Sequence, residues 1–126
     1  MGNVDFMATF YSNMAQEINT VVIAVDYRLI PEHPFPAALD DAIFTVKYVY
    51  ENSKNLKIDF SKTIMTGDSA GGHLTLVTAL SLLNTKYQVA GIFPVHPVTQ
   101  GVTLTNKHLF VRGIPTLPPV LGPNVL

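Results

Sequence analysis

One serine in this chain stands where a hydroxyl could act as a nucleophile. Ser69 lies in the stretch Met65-Thr-Gly-Asp-Ser-Ala-Gly-Gly-His-Leu74, with Gly67 two residues before it and Gly71 two residues after. A hydroxyl attacks a carbonyl only when it is lifted clear of the backbone and relieved of its proton. The Gly-x-Ser-x-Gly pattern addresses the first condition. On a sharp strand-to-helix turn the serine is raised above the sheet edge, and side chains two positions either side would collide with the neighbouring strand and helix. Gly67 and Gly71 are therefore expected to be the elbow glycines. The same turn aims the Ala70 N–H, at the helix start, toward the place where an oxyanion would develop. The competing explanation is a Gly-rich turn holding an incidental serine, which asks for neither a strand before the motif nor a helix after it.

Both flanking elements are expected. Lys62–Thr66, "KTIMT", reads as a short buried strand, and residues 70–84, rich in Ala and Leu after the double glycine, read as a helix. Farther out, residues 4–18 repeat Phe6, Phe10 and Met14 every fourth position, the spacing of an amphipathic helix. Thr20–Asp26, "TVVIAVD", is a continuous β-branched run and predicts a strand buried on both faces. Pro31, Pro34 and Pro36 then exclude regular structure from "YRLIPEHPFP". Residues 36–52 predict a helix: Pro36 suits its first turn, Asp40 and Asp41 lie near its positive end, and Ile43, Val46 and Tyr50 form an apolar stripe. Gln88–Val95 is a third strand candidate. Helices alternating with strands predict an α/β class with a parallel sheet. Beyond Val95 the periodicity fails, and six of the nine prolines lie at or after Pro94, so residues 99–126 are expected to be an irregular tail.

Composition excludes several function classes. The 126 residues are 48% hydrophobic and 13% charged, a chain with enough apolar material to bury and suited to one domain or part of one. A net charge of −1 gives no basic field for nucleic acid. The absence of cysteine excludes disulfides, thiolate metal sites and thiol catalysis. No cofactor motif is present, and none of the four histidines (His33, His73, His96, His108) has metal-ligand spacing, so neither cofactor nor metal is expected. No basic start followed by an apolar run marks a signal peptide, and no run reaches the roughly 18 apolar residues of a membrane span. A cytoplasmic chain is the default expectation.

Two motifs then carry a resemblance. "DYRLIPEHPFPAALDDA" (Asp26–Ala42), followed at this distance by "GDSAGG" (Gly67–Gly72), resembles the hormone-sensitive-lipase-like branch of the α/β-hydrolase superfamily, which includes carboxylesterases and arylacetamide deacetylases. "GNVDFMATFYSNMAQE" (Gly2–Glu17) is similar to the helix region that follows the oxyanion loop in that branch, and the resemblance spans about residues 2–98. It implies a partial α/β-hydrolase fold and a small-molecule carboxylic ester as substrate. Ser69 would be the nucleophile, Ala70 an oxyanion donor, and a histidine oriented by an acid would be the base.

The branch's remaining chemistry is expected to be incomplete here. Its His-Gly-Gly oxyanion motif would stand just before Gly2. All nine carboxylates lie at or before Asp68, whereas the triad acid in this fold follows the serine. Among the histidines, His73 is expected to pack the helix or face solvent. His96, following a strand's C-terminal end, is the least remote candidate base but has no downstream carboxylate to hold its tautomer. Arg28 and Glu32 are expected to form a structural polar pair in their loop. Asp68 is expected to serve the turn rather than the reaction, and the aromatic set Phe6, Phe10, Phe44, Tyr48 and Tyr50 to be core packing. The expectation is a nucleophile-bearing piece of an esterase, incomplete at both ends, inactive alone and prone to aggregate through unpaired strand edges. The alternatives are a receptor-like, non-catalytic ligand-binding protein on the same fold, and an assembly in which another chain supplies the missing groups.

Overall fold

The computed structural model describes residues 4–99, and the statements below concern these. Three main helices and two strands are present: α1 (Val4–Glu17), α2 (Ala37–Glu51), a short α3 (Ser53–Leu56), β1 (Ile64–Asp68), α4 (Ala70–Leu82) and β2 (Gly91–Val95). β1 and β2 pair in parallel, from Ile64 opposite Gly91 to Asp68 opposite Val95, with α4 as the crossover between them. The α/β class with a parallel sheet is thus the observed architecture, covering part of the full fold.

α4 lies close to the sheet because its inward residues are small. Gly72, Thr75, Thr78 and Leu82 are buried at helical spacing, so the helix axis can approach the strands. Thr75 spends its hydroxyl on the Gly71 carbonyl at 2.9 Å, whereas the buried Thr78 Oγ1 has no partner among the described residues. α2 packs against α4 and contributes Ala42 and Val49. The core at this junction is thin: Val49 keeps 7% of its surface exposed and Leu82 4%, with Ala42 and Val89 beside them. A polar clasp closes its far end. Lys86 Nζ and the Tyr87 hydroxyl both donate to Glu51 Oε1, at 2.8 and 3.0 Å.

β1 begins two residues later than the sequence suggests. Asp59 Oδ1 accepts from the Ser61 N–H and hydroxyl, winding Phe60–Lys62 into one 3₁₀ turn and keeping Lys62 out of the ladder. The larger departure concerns Thr20–Asp26, which forms no strand. Among the described residues, 21–27 make no backbone–backbone hydrogen bond at all. Val21 and Ile23 keep 62% and 44% of their surface exposed. β-branched residues favour extended backbone, but a strand also needs a neighbour's ladder. Here a cavity of about 720 Å³ separates this run from β1, lined by Val21, Ile23 and Val25 on one side and Ile64, Met65 and Thr66 on the other. Of the aromatic set expected in the core, Phe10, Phe44 and Tyr48 are instead exposed, and Phe44 stacks on Tyr48 one helical turn away along the open face of α2.

Candidate active site

The last residue of β1, Asp68, is followed directly by the first turn of α4, and Ser69 alone makes the reversal. It does so at φ 53° and ψ −111°, outside the regions open to a residue with a Cβ. Such backbone costs about 1–3 kcal/mol and persists only where the surroundings dictate it. The Ser69 side chain is exposed and caps no helix N–H, and its hydroxyl has no hydrogen-bond partner among the described residues. The Ala70 N–H has no backbone acceptor among the described residues either, and it opens the positive end of a 13-residue helix. Ser69 N–H is occupied, donating to the Val95 carbonyl at 2.9 Å.

The glycines divide differently from expectation. A Cβ on Gly67 would overlap the Gly71 carbonyl oxygen and lie 2.5 Å from its carbon and 3.0 Å from Thr75 Oγ1. Gly67 is therefore sterically required. A Cβ on Gly71 would meet nothing within 4 Å, so the collision expected there does not exist in the described residues. The second crowded position is Gly72, where a Cβ would sit 2.9 Å from the Val95 carbonyl, 3.0 Å from that of Gly67 and 3.1 Å from Pro97 Cα. The correction has a simple cause: Gly71 borders the cavity between β1 and residues 21–25, so a Cβ there enters empty space, while Gly72 packs against the end of β2. The Gly-Gly doublet was the available signal, since two adjacent glycines in a helix's first turn weaken it and ask for a reason.

The segment Val95–Val98, weighed in the sequence only for His96, wraps this elbow. Val95 and Val98 grip the Ser69 backbone from both ends, the first accepting from its N–H and the second donating to its carbonyl at 3.4 Å. His73, one turn along α4, brings Nδ1 to 2.6 Å from the Val98 carbonyl. His96 lies at the same sheet edge as Ser69, at φ 42°, exposed, with no hydrogen bond to the serine among the described residues. Two non-glycine residues of positive φ thus face each other across the strand ends.

The remaining candidates are placed elsewhere or apart. Arg28 does not pair with Glu32. Its guanidinium grips Asp41 on α2, with Nε at 3.0 and 2.9 Å from the two carboxylate oxygens and an outer nitrogen at 2.8 Å, and its own N–H donates to the same carboxylate at 2.9 Å. Asp41 is held below the usual carboxylate range, first by the side-chain bond to Arg28 and then by the backbone one. The pair is made instead across 13 residues, from loop to helix. His33 is exposed in the Pro-rich loop, and Asp68 is exposed at the end of β1. His108, the irregular tail and the side chain of Phe6 lie outside the described residues. Among the described residues no three His, Asp or Glu side chains converge as a metal site.

The family described as alpha/beta hydrolase fold matches residues 1–116. The ethyl acetate hydrolase of Pseudomonas putida is 37% identical over 101 residues, which are 79% of this chain and 32% of that protein. The carboxylesterase NlhH of Mycobacterium tuberculosis is 48% identical over 59 residues, 47% of this chain and 18% of that one. Among solved structures, a thermostable carboxylesterase cloned from a metagenomic library superposes with a TM-score of 0.74 at 30% identity, covering 83% of this chain and 37% of its own. The chain thus spans between 18% and 37% of the length of these three proteins. The match over residues 1–116 covers most of the chain, and the chain belongs to the α/β-hydrolase family.

Proposed function

We propose that residues 4–99 carry the nucleophile of a carboxylic ester hydrolase, with Ser69 as the attacking residue. The observation that carries this reading is the backbone of Ser69, at φ 53° and ψ −111° between a strand end and a helix start. Strain of that kind on a residue with an exposed hydroxyl serves presentation of the hydroxyl, since a glycine there would cost the fold less. The relatives named as carboxylesterases and esterases support an ester as substrate.

In this reaction Ser69 Oγ adds to the ester carbonyl carbon as its proton passes to a base. The carbonyl oxygen takes the negative charge and lies against the Ala70 N–H at the helix start, where the dipole favours an anion. Collapse of the tetrahedral adduct breaks the bond to the alcohol, which leaves with the proton, and water then releases the acid from the serine ester by the same steps. The base and its orienting acid are proposed to come from polypeptide that the relatives possess beyond the span matched here. No carboxylate follows Asp68 in this sequence, and no imidazole bonds to Ser69 among the described residues. The 126 residues alone are accordingly proposed to be inactive.

A biotinylated fluorophosphonate applied to native source material tests this, because it reacts only with an activated serine. The expected result is label on the peptide containing Ser69, in a protein much longer than 13.8 kDa. Label in a chain of 13.8 kDa would overturn the incompleteness and point to His96 or a second chain as the source of the base. Protein present without label at Ser69 would overturn the catalytic reading in favour of a ligand-binding one.

A further inference from the structure

We infer that His73 is a positioning residue for Ser69, acting as a side-chain clamp that holds the Val95–Val98 loop onto the elbow. This rests on the reading of Ser69 as nucleophile. The starting point is chemical. A backbone carbonyl only accepts, so a ring nitrogen 2.6 Å from the Val98 oxygen carries the proton. His73 is then fixed as the Nδ1–H tautomer when neutral, and the imidazolium keeps the same donor. Nδ1 is thereby spent on structure, which leaves the ring no role as the base for Ser69 through that atom.

What the clamp holds is the loop that sets the serine's backbone. Val98, whose carbonyl takes the His73 proton, donates its own N–H to the Ser69 carbonyl at a long 3.4 Å. Val95, three residues earlier, accepts from the Ser69 N–H at 2.9 Å. Between them His96 adopts φ 42° immediately before Pro97, a conformation that residues preceding proline disfavour. Such a loop does not keep its shape unaided. Gly72 lets it approach, with the Val95 carbonyl and Pro97 Cα seated where a Cβ would be. Of the ties recorded between this loop and the start of α4, His73 supplies the one made by a side chain among the described residues. Loss of it leaves the weak Val98 N–H bond alone at the loop's far end, and the Ser69 peptide planes are then free to relax toward ordinary φ and ψ.

The test compares the full wild-type protein with His73→Asn and His73→Leu. Asparagine places Nδ2–H near the position of Nδ1–H, whereas leucine keeps bulk without a donor. Nitrogen NMR of the wild-type imidazole is expected to show Nδ1 protonated and Nε2 bare at alkaline pH. Amide exchange at Val98 and Ser69 is expected to accelerate about tenfold in the leucine variant, the scale of one lost hydrogen bond, and to stay within about threefold in the asparagine variant. The rate of fluorophosphonate labelling at Ser69 is expected to fall about tenfold or more in leucine and to be restored in asparagine. A proton on Nε2 instead, or equal exchange and labelling in all three proteins, overturns the inference. Equal loss in both variants also overturns it, since side-chain volume and not the donor would then matter. Wild-type protein that takes no label removes the nucleophile and the positioning role together, while tautomer and exchange still report whether the loop is clamped.

Discussion

The elbow and the Thr20–Asp26 run are both rich in local sequence signal, yet only one of them becomes a fixed structure. Around Ser69 the constraints close on themselves. Gly67 and Gly72 admit two carbonyls and a loop, Val95 and Val98 hold the serine's peptide groups, and His73 ties the loop to the helix. Every element involved lies within residues 64–98, so the chain can satisfy the geometry from its own sequence. The run at 20–26 has strong β propensity but depends on a ladder partner, and between it and β1 lies a cavity of about 720 Å³ in place of hydrogen bonds. Turn geometry is specified by the residues in the turn. Strand geometry is specified by whatever lies alongside.

The sharpest way to break this contrast is amide exchange. Ser69 N–H, bonded to Val95 at 2.9 Å, is expected to be protected over the amides of Val21–Val25 by about a thousandfold, the span between frayed and core-linked groups in a marginally stable domain. Equal protection in the two segments would show that residues 20–26 do pair, as their sequence suggests, and would remove the comparison.

The glycines sharpen it next. Gly67→Ala drives a methyl into the Gly71 peptide, backbone that cannot swing aside, and is expected to cost about 3 kcal/mol in unfolding free energy. Gly71→Ala enters open space in a helix and is expected to stabilise by about 0.5–1 kcal/mol. Denaturant unfolding of the two variants in the full protein measures the difference directly, and matching midpoints would show that the elbow is not close-packed.

These glycines also show where sequence reasoning stops. The three long helices are legible because their signals are local, apolar periodicity in the first two and Ala/Leu richness in the third: residues 4–18, 36–52 and 70–84 are expected, and Val4–Glu17, Ala37–Glu51 and Ala70–Leu82 are observed. The elbow is legible because strand, Gly-x-Ser-x-Gly and helix are contiguous. Gly72 was obscured by the pattern's own spacing, which draws attention to Gly71. The Arg28–Asp41 pair spans 13 residues and the His73–Val98 bond 25, and no periodicity encodes either. What the sequence left open is where folding brings a side chain to a distant backbone group, and that is where the elbow acquires its support.

Ser69 itself supplies a third test. Glycine tolerates φ 53° and ψ −111° without a Cβ penalty, so Ser69→Gly is expected to gain about 1–2 kcal/mol of stability while abolishing fluorophosphonate labelling. Thermal unfolding and labelling of the same sample separate the two effects. A variant no more stable than wild type would mean that the elbow stores no strain in its serine, and the case for presentation would lose its energetic basis.

The smallest expected effect lies in the loop between the two regions. Arg28 ties residues that follow the unpaired run to α2, through a carboxylate whose folded-state pKa is lowered from about 3.8. The sign follows from proton binding. Below its ordinary pKa the unfolded chain takes up a proton at Asp41 that the folded chain resists, so the pair's contribution is full above that value. It is lost as pH falls through the lower folded value. Glu51 and Asp59, lowered by Lys86 with Tyr87 and by Ser61 with Lys62, act in the same direction. Asp41→Asn removes one titrating group from this set while keeping an acceptor for Arg28. The fall in unfolding midpoint between pH 6 and about pH 2.5 is therefore expected to be shallower in the variant than in the wild type. The effect should be slight, because the pair is open to solvent and salt. Identical slopes would mean that Arg28 holds Asp41 no more firmly in the folded chain than in the unfolded one. The loop would then share the looseness of the run before it, and the contrast with the elbow would extend to the start of α2.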